Sequence, residues 1–168
     1  KNDLQDYSGA ISDYTKAIEL DPKFADAYCN RGIVKYSLQD CRDAISDFSK
    51  AIELDPKFAN AYYNRGRVKN DLQDYRDAIS DYTKAIELDP KDAGAYFDSG
   101  NAKSDLQDYT GAISDYTKAI ELDPKDADAY FNRGLANIDL GQKDSGCLDF
   151  SKAGELGYDR AYDAIKQL

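Results

Sequence analysis

The chain lacks several residue types and motifs that enzymes and metal sites use most. It has no His, which excludes Ser–His and Cys–His nucleophile pairs and imidazole ligands for a metal ion. It contains no phosphate-binding glycine loop and no Cys-x-x-Cys motif, and its Asp-rich stretches lack the spacing and glycine of a calcium loop. We therefore predict a protein that is not an enzyme, with no catalytic residues, no cofactor and no metal ion.

Long apolar runs and basic patches are also missing. No run approaches the roughly 18 apolar residues of a membrane span. The formal net charge is −10, so the phosphates of nucleic acids would be repelled at long range. Three cysteines without a pairing pattern, and the absence of an Asn-x-Ser/Thr sequon, are typical of a reducing compartment. These features predict a cytoplasmic protein that neither binds nucleic acid nor inserts into a membrane.

What the chain has instead is a repeat of 34 residues. Pro22, Pro56, Pro90 and Pro124 are evenly spaced at this period, and each lies in the segment AISDYTKAIELDPK or its variant AISDFSKAIELDPK. A fixed period of this size is the signature of a helical repeat array. Such an array presents an extended surface that usually binds another molecule.

The period from Ala59 to Asp92 predicts two helices. The first runs from about Ala59 to Leu72, and the second begins after the N-cap residue Asp74 and is stopped by Pro90. A glycine recurs inside every first helix, where it permits close approach of the second helix. The second helix is predicted to bury Ala78, Ile79, Tyr82, Ala85, Ile86 and Leu88.

The pattern resembles the tetratricopeptide repeat (TPR) family. The aromatic, glycine and alanine positions and the proline of that repeat are, in this period, Tyr62, Gly66, Ala78, Tyr82, Ala85 and Pro90. The resemblance implies an all-α fold, a right-handed α-α superhelix (solenoid) of 34-residue helix–turn–helix repeats, with the first helices lining a concave groove. It also implies a usual role as a scaffold or adaptor for protein–protein interaction.

On this basis we expect the chain to form a single array of repeats. We expect a truncated repeat 1 over 1–24, repeats 2, 3 and 4 over 25–58, 59–92 and 93–126, a divergent repeat 5 over 127–160, and a capping helix over 161–168. The first segment is expected to hold the tail of one helix and a complete second helix, with further repeats upstream. Its cut edge would expose apolar residues that could support a homodimer: Ile11, Tyr14 and Ile18.

Charged residues recur inside the repeats. Arg31, Arg65 and Arg133 precede glycines in the first helices, and an Asp recurs in each second helix. These charges could meet a ligand, or they could pair within the protein. We favour internal pairing, because a half-buried arginine needs a partner. Ser99 replaces the arginine in the fourth period, so Asp115 is expected to be unpaired or solvated.

The family resemblance places a peptide-binding groove on the first helices. Aromatic side chains offer rigid contact area there, and amides can hydrogen-bond an extended backbone. The acidic residues among the lining positions favour a neutral to basic, partly apolar protein or peptide partner: Asp26, Asp71, Asp98, Asp105, Asp128 and Asp139. The candidate groove residues are Asn30, Ile33, Tyr36, Tyr63, Asn64, Arg67, Asn70, Phe97, Asn101, Phe131, Asn132 and Leu135.

Two other interpretations remain open. The aromatics could pack against a neighbouring repeat and never meet a ligand. Alternatively, the groove could be empty and the array could be a self-associating assembly element or a spacer in a larger protein. A clamp for the C-terminal carboxylate of chaperones, known in this family, is not expected, because only Asn64 matches its pattern.

Overall fold

The computed structural model describes residues 2–166, with side chains from residue 7 onward, and this range contains helices, turns and short loops but no strand. The chain divides into two compact units between residues 89 and 90. The first unit contains α1 (Asn2–Leu20), α2 (Ala25–Ser37), α3 (Cys41–Leu54), α4 (Ala59–Asp71) and α5 (Tyr75–Leu88). The second contains α6 (Ala93–Asp105), α7 (Tyr109–Leu122), α8 (Ala127–Asp139), α9 (Lys143–Glu155) and α10 (Arg160–Lys166).

Within each unit, helices that follow one another along the chain pack together. In the first unit α2 packs on α3 and α4 on α5, and α3 also contacts α4. In the second unit α6 packs on α7 and α8 on α9, and α7 also contacts α8. First helices of successive repeats touch as well, α2 with α4 and α6 with α8. This packing confirms the predicted all-α fold class of helix–turn–helix repeats.

The period from Ala59 to Asp92 folds as its sequence predicts. Helix α4 begins at Ala59, and α5 follows the N-cap Asp74 and ends two residues before Pro90. Ala78, Tyr82 and Ala85 are buried. The remaining predicted core positions, Ile79, Ile86 and Leu88, are half-buried.

The glycine of each first helix makes close packing possible. At Gly66 an added Cβ would lie 2.9 Å from the Tyr82 ring, and at Gly134 it would lie 2.7 Å from the Phe150 ring. Both rings are almost completely buried, so they have no room to move. A larger residue would therefore force the two helices of the repeat apart, as the sequence predicted.

The turn between the two helices of a repeat uses a residue in the left-handed region. Gln39 has φ 64°, and its N–H donates to the carbonyl of Tyr36 at 2.9 Å. The next residue, Asp40, donates to the carbonyl of Lys35 at 2.9 Å. These two bonds form a Schellman motif, which satisfies the last carbonyls of α2. Gln73 and Gln107 repeat this conformation, and Gly141 takes the position after α8.

Residues 1–24 differ from the expected tail of one helix plus a second helix. The structure has one continuous helix, α1 (Asn2–Leu20), through the Leu-Gln-Asp sequence that forms a turn in later repeats. That turn depends on bonds to carbonyls three and five residues back in a preceding helix. In α1 the sequence Leu-Gln-Asp over residues 4–6 lies within the helix instead.

The predicted apolar edge on α1 is less exposed than expected. Ile11, Tyr14 and Ile18 are half-buried, because α1 packs along α2. Among residues 7–166, the most exposed large apolar side chain is that of Leu20, at 88%. Homodimerisation through this edge therefore stays a prediction, and its proposed contact residues are partly covered.

The C-terminal helix covers the end of the second unit. Ala161 of α10 is fully buried, and Ala164 and Ile165 pack against the cluster around Phe150 and Ala153. The tail residue Leu168 lies outside the described residues. Apolar surface on α9 is thus buried by a short helix, and the role of that helix as a cap on the array stays a prediction.

The arginine and aspartate residues pair within the repeats that contain Arg31, Arg65 and Arg133. Arg31 donates from Nε and Nη2 to both carboxylate oxygens of Asp47, at 2.9 and 2.8 Å. Arg65 binds Asp81 in the same way, at 2.9 and 2.7 Å. Both aspartates are buried. The internal pairing favoured from the sequence is confirmed, so these charges hold the repeat together.

Each of these two arginine–aspartate pairs has a third member that was not predicted from the sequence. Lys35 Nζ lies 2.8 Å from Asp47, one helical turn beyond the arginine, and Lys69 takes the same position beside Asp81 at 2.8 Å. The prediction that Asp115 is unpaired is wrong. Ser99 donates to it at 2.6 Å, and Lys103 forms an ion pair with it at 2.5 Å. A carboxylate so largely removed from water requires such partners.

Candidate functional site

In the first unit, three candidate residues from two successive repeats meet on one face. The guanidinium carbon of Arg67 lies 5.6 Å from the centre of the Tyr36 ring and 5.8 Å from the centre of the Tyr63 ring. Arg67 is exposed, and it forms no ion pair within residues 7–166. Cation–π contacts with two rings hold its side chain over the face. The face therefore presents an oriented cation on a platform of tyrosines.

Asp71 completes this cluster. It accepts a short hydrogen bond from the hydroxyl of Tyr36, which lies 35 residues earlier in the preceding repeat. This bond joins α2 to the last turn of α4. The cluster of Tyr36, Tyr63, Arg67 and Asp71 is therefore organised by contacts between repeats, and we call it the tyrosine–arginine cluster.

The Tyr36 bond predicts a pH dependence. Burial and the bond to Asp71 favour the protonated phenol and raise the pKa of Tyr36 to about 12. The folded state then holds this proton more tightly than the unfolded state does, whose tyrosine pKa is about 10. The stability that Tyr36 contributes is complete below pH ~10 and is lost as the pH rises to about 12.

This prediction can be measured as the difference in tyrosinate absorbance between the wild type and Tyr36→Phe across a pH titration. Asp71→Asn should lower the pKa of Tyr36, because the neighbouring negative charge is removed. A Tyr36 pKa at the ordinary value in the wild type would contradict the structural account of the bond.

The other candidate groove residues of the first unit differ in how much of their side chains is exposed to a ligand. Asn30 is exposed, and Ile33 is half-buried against the core around Phe48. Asn64 is buried and turned toward its own helix, where its amide donates to the carbonyl and side-chain oxygens of Asn60, at 2.8 and 2.6 Å. Asn64 is therefore the member of the set with least surface for a ligand.

Asn70 has an unmet acceptor. Its side-chain oxygen is buried and has no hydrogen-bond partner among the described residues. An unsatisfied buried acceptor costs about 1–3 kcal/mol. A donor from a bound segment would remove that penalty.

In the second unit, two candidate amides form a network. Asn132 donates to the side-chain oxygen of Asn101 at 2.9 Å, and the hydroxyl of Tyr116 donates to the same oxygen at 2.8 Å. Burial, with a smaller effect from Asp105, raises the pKa of Tyr116, so its hydroxyl remains a donor at neutral pH. These residues line a shallow pocket of about 280 Å³ with Leu135, which is 43% exposed.

The two phenylalanine candidates take part in internal packing. The Phe97 ring centre lies 5.9 Å from that of Tyr116. Phe131 lies 5.3 Å from Phe150 and stacks on Tyr158 at 4.6 Å. Each ring thus contacts an aromatic residue on a following helix, which limits the surface that either can offer a ligand. Tyr63 similarly lies 6.1 Å from Tyr82.

Sequence reasoning missed two contributors to these faces. Tyr116 occupies the position of Tyr82, which was assigned to the core of a second helix, yet the Tyr116 hydroxyl reaches the amide network on the first-helix face. Asp71 was treated only as part of the acidic lining, yet it binds Tyr36. The periodicity of a single helix signals neither contact, because both join residues on different helices. Most of the remaining predicted acidic lining is exposed, as expected: Asp26, Asp105, Asp128 and Asp139.

Within residues 2–166, none of the helices combines the length and apolar character needed to span a membrane. No protein with a curated functional description matches the sequence.

Family models and solved structures do match. A model described as TPR repeat matches residues 2–39 and 100–141, and one described as tetratricopeptide repeat matches residues 25–58 and 59–92. A crystal structure of MamA is 30% identical with a TM-score of 0.88, covering 96% of this chain and 95% of that one. A second MamA crystal structure is also 30% identical, with a TM-score of 0.85 over 96% and 88% of the two chains.

A more distant structure, of MamA residues 41 to the end from Desulfovibrio magneticus RS-1, shares the fold. It is 23% identical with a TM-score of 0.83, and covers 89% of this chain and 85% of that one. The 34-residue period, the packing of successive helices and these matches agree, and the chain belongs to the tetratricopeptide repeat family.

Proposed function

We propose that this protein is a non-enzymatic scaffold that docks a peptide or protein segment of a partner on the first-helix faces of its repeats. The family and the relatives with the same fold support a protein-interaction role. The proposal that the partner docks on these faces depends on one observation, the tyrosine–arginine cluster of the first unit. Its exposed guanidinium is held by two rings and bound to no carboxylate within residues 7–166.

The tyrosine–arginine cluster is not part of the ion-pair network that holds the two helices of the repeat together. The internal ion-pair network uses Arg65, whereas Arg67 on the same helix faces outward over the rings. Tyrosine and arginine are the residues most enriched where interfaces gain their binding energy. The Asn101–Asn132 pair of the second unit offers amide groups to an extended backbone. The docked segment is proposed to be neutral to basic and partly apolar, because of the acidic residues around these faces.

A quantitative pull-down from cell lysate tests the proposal. The wild type is compared with Tyr36→Ala/Arg67→Glu and with a matched control, Arg42→Glu, which changes an exposed arginine on α3. Proteins that bind the wild type and the control but bind the cluster variant at least about tenfold less would support docking on this face. Each variant is first shown to be folded by circular dichroism.

The result would go against the proposal if all three proteins captured the same set, or if none captured any. Phe97 and Phe131 are left unchanged in this experiment, because their internal ring contacts would confuse lost binding with lost packing.

A further inference from the structure

The last part of α1 has the same sequence as parts of two other helices. Residues 10–20 of α1, 78–88 of α5 and 112–122 of α7 all read AISDYTKAIEL. Because identical segments carry identical side chains, any difference in their burial reflects the helices that surround them. We call residues 10–20 the α1 segment.

In the second unit, α7 lies between two first helices, with α6 on one side and α8 on the other. Arg133 of α8 donates from Nη1 to the hydroxyl of Thr117 at 3.0 Å. Helix α2 contacts the α1 segment in the same way, since Arg31 Nη1 donates to Thr15 at 3.1 Å. Among the helices of residues 2–166, none packs on α1 as α6 packs on α7. One side of the α1 segment is therefore uncovered.

Asp13 marks this uncovered side. Its side chain is 82% exposed, and within residues 7–166 its ion-pair contact is with Lys16 at 3.9 Å. The equivalent carboxylates are only 5–13% exposed, and each forms an ion pair with the first helix of its own repeat: Asp47, Asp81, Asp115 and Asp149. The α1 segment thus presents a solvated carboxylate at the point where the same sequence elsewhere meets a cation.

The apolar positions of the segment agree with this comparison. Tyr14 is half-buried, whereas its equivalents Tyr82 and Tyr116 are each 1% exposed. Ala10 and Ala17 are half-buried too, and their equivalents in α5 and α7 are at most 2% exposed. The uncovered side therefore combines one carboxylate with an aromatic ring and two small residues, which is a surface that a helix can approach closely.

The structure shows which kind of helix covers this sequence. In α4, Arg65 and Lys69 bind the carboxylate of α5, at 2.7 and 2.8 Å, and Gly66 lets the helix approach the aromatic ring. Helix α2 carries the same Arg-Gly-x-x-Lys pattern over residues 31–35 and covers α3. A helix with this pattern matches the α1 segment in both charge and shape.

We propose that the α1 segment is the docking site for an amphipathic helix of another protein that carries the pattern Arg-Gly-x-x-Lys. The arginine and lysine would pair with Asp13, and the glycine would lie over Tyr14, as α4 does on the identical segment of α5. Charge-assisted bonds to a carboxylate supply specificity, and an amphipathic helix on a complementary face is a common recognition mode. This surface belongs to α1, so it is distinct from the first-helix faces.

Two other occupants fit the segment less well. Helix α1 continues through residues 4–6, so these residues extend along the helix axis and do not turn back over the face. A second copy of the chain carries the pattern on α2 and α4, but these helices already pack on α3 and α5. Two α1 segments placed face to face would bring two Asp13 carboxylates together, which is unfavourable.

The chain supplies the probe for a test. A fluorescein-labelled peptide of residues 58–72, which includes α4, is held helical by a hydrocarbon staple that joins positions 60 and 67, both exposed in the structure. The staple is needed because an isolated helix of this length is marginal in water. Fluorescence anisotropy then measures its binding to the full chain. We expect saturable binding to the wild type and about tenfold weaker binding to Asp13→Asn.

Glu19→Gln is the matched control, because it removes the same charge from the same exposed helix. Its equivalents stay 58–69% exposed where a first helix is in place: Glu53, Glu87 and Glu121. This variant should bind the peptide as the wild type does. So should Tyr36→Ala/Arg67→Glu, which separates the α1 segment from the first-helix faces. Circular dichroism first shows that each variant is folded.

A change in the peptide tests the geometry from the other side. Gly66→Leu in the peptide should weaken binding to the wild type by about tenfold or more, because the added side chain would meet the Tyr14 ring. In the protein itself an added Cβ at Gly66 would lie 2.9 Å from the equivalent ring of Tyr82.

Three results would overturn the proposal. The first is no saturable binding of the stapled peptide to the wild type up to about 1 mM. The second is equal affinity for Asp13→Asn and Glu19→Gln. The third is self-association of the wild type in sedimentation velocity that Asp13→Asn abolishes, which would assign the face to a second copy of this chain.

Discussion

Asp81→Ala is expected to lower the free energy of unfolding by about 3–5 kcal/mol. The Asp81 carboxylate binds Arg65 at 2.9 and 2.7 Å and Lys69 at 2.8 Å. The three side chains have exposures of only 5–19%. Removing the acid leaves two cations in a poorly solvated site without the charge that balances them, which is the most unfavourable way to break such a cluster.

Urea unfolding followed by circular dichroism measures this effect, with Glu87→Ala as the control. Glu87 lies on the same helix and pairs with Lys84 at 2.8 Å, but both side chains are about half exposed. Its loss should therefore cost less than about 1 kcal/mol. Equal effects of the two substitutions would contradict the account.

A triple apolar variant tests whether Asp81→Ala lowers the stability through the unbalanced charge that it leaves or through the loss of specific hydrogen-bond geometry. Replacing Asp81, Arg65 and Lys69 together by leucine removes the buried charges as well as their pairing. Such replacements are often neutral or stabilising. We expect the triple variant to be clearly more stable than Asp81→Ala. A triple variant no more stable than the single one would show that specific hydrogen-bond geometry, rather than an unbalanced charge, decides the stability.

Phe48→Ala is expected to cost about 3–5 kcal/mol, and part of this cost should be recovered by enlarging Gly32. Phe48 is fully buried, and an added Cβ at Gly32 would lie 2.9 Å from its ring. Gly32→Leu alone should overpack this contact by about 1–3 kcal/mol. In the double variant the leucine can enter the space that the ring leaves.

A double-mutant cycle in urea measures the coupling, which should be favourable by about 0.5–3 kcal/mol. Gly9→Ala is the control for helix propensity, because an added Cβ at Gly9 meets nothing within 4 Å. Alanine is favoured over glycine inside a helix by about 1 kcal/mol, so this substitution should stabilise the protein. Additive effects of the substitutions at Gly32 and Phe48 would mean that the packing of the Phe48 ring does not depend on the glycine.

Much of the fold was predictable from the sequence, because the signals that define a repeat are local. Pro90 ends α5, Asp74 precedes it, and Gly66 marks the close approach to Tyr82, all within one period. The period occurs four times, so each local inference was checked by the others. Residues 4–6 mark the limit of local reasoning, since their Leu-Gln-Asp sequence lies within α1 although the same sequence forms a turn in three later repeats.

The candidate site was predicted less completely. Arg67 was placed among the lining residues, but its position between Tyr36 and Tyr63 was not. Phe97 and Phe131 were placed there too, although their rings pack against Tyr116 and Phe150. Position within a helix indicates which side a residue faces. It does not indicate how far a neighbouring helix covers that side.

By itself, then, the sequence determined the helical repeat and the boundaries of its helices within a residue or two, and it favoured internal pairing of the recurring arginines and aspartates. The tertiary structure decided that Lys69 joins such a pair, that Ser99 and Lys103 satisfy Asp115, and that Tyr36 binds Asp71. The reason is physical. Helix propensity, capping and proline breaks act over a few residues, whereas these polar contacts join residues 12 to 35 positions apart. Such contacts exist only where packed helices bring the side chains together and exclude the water that would otherwise solvate them.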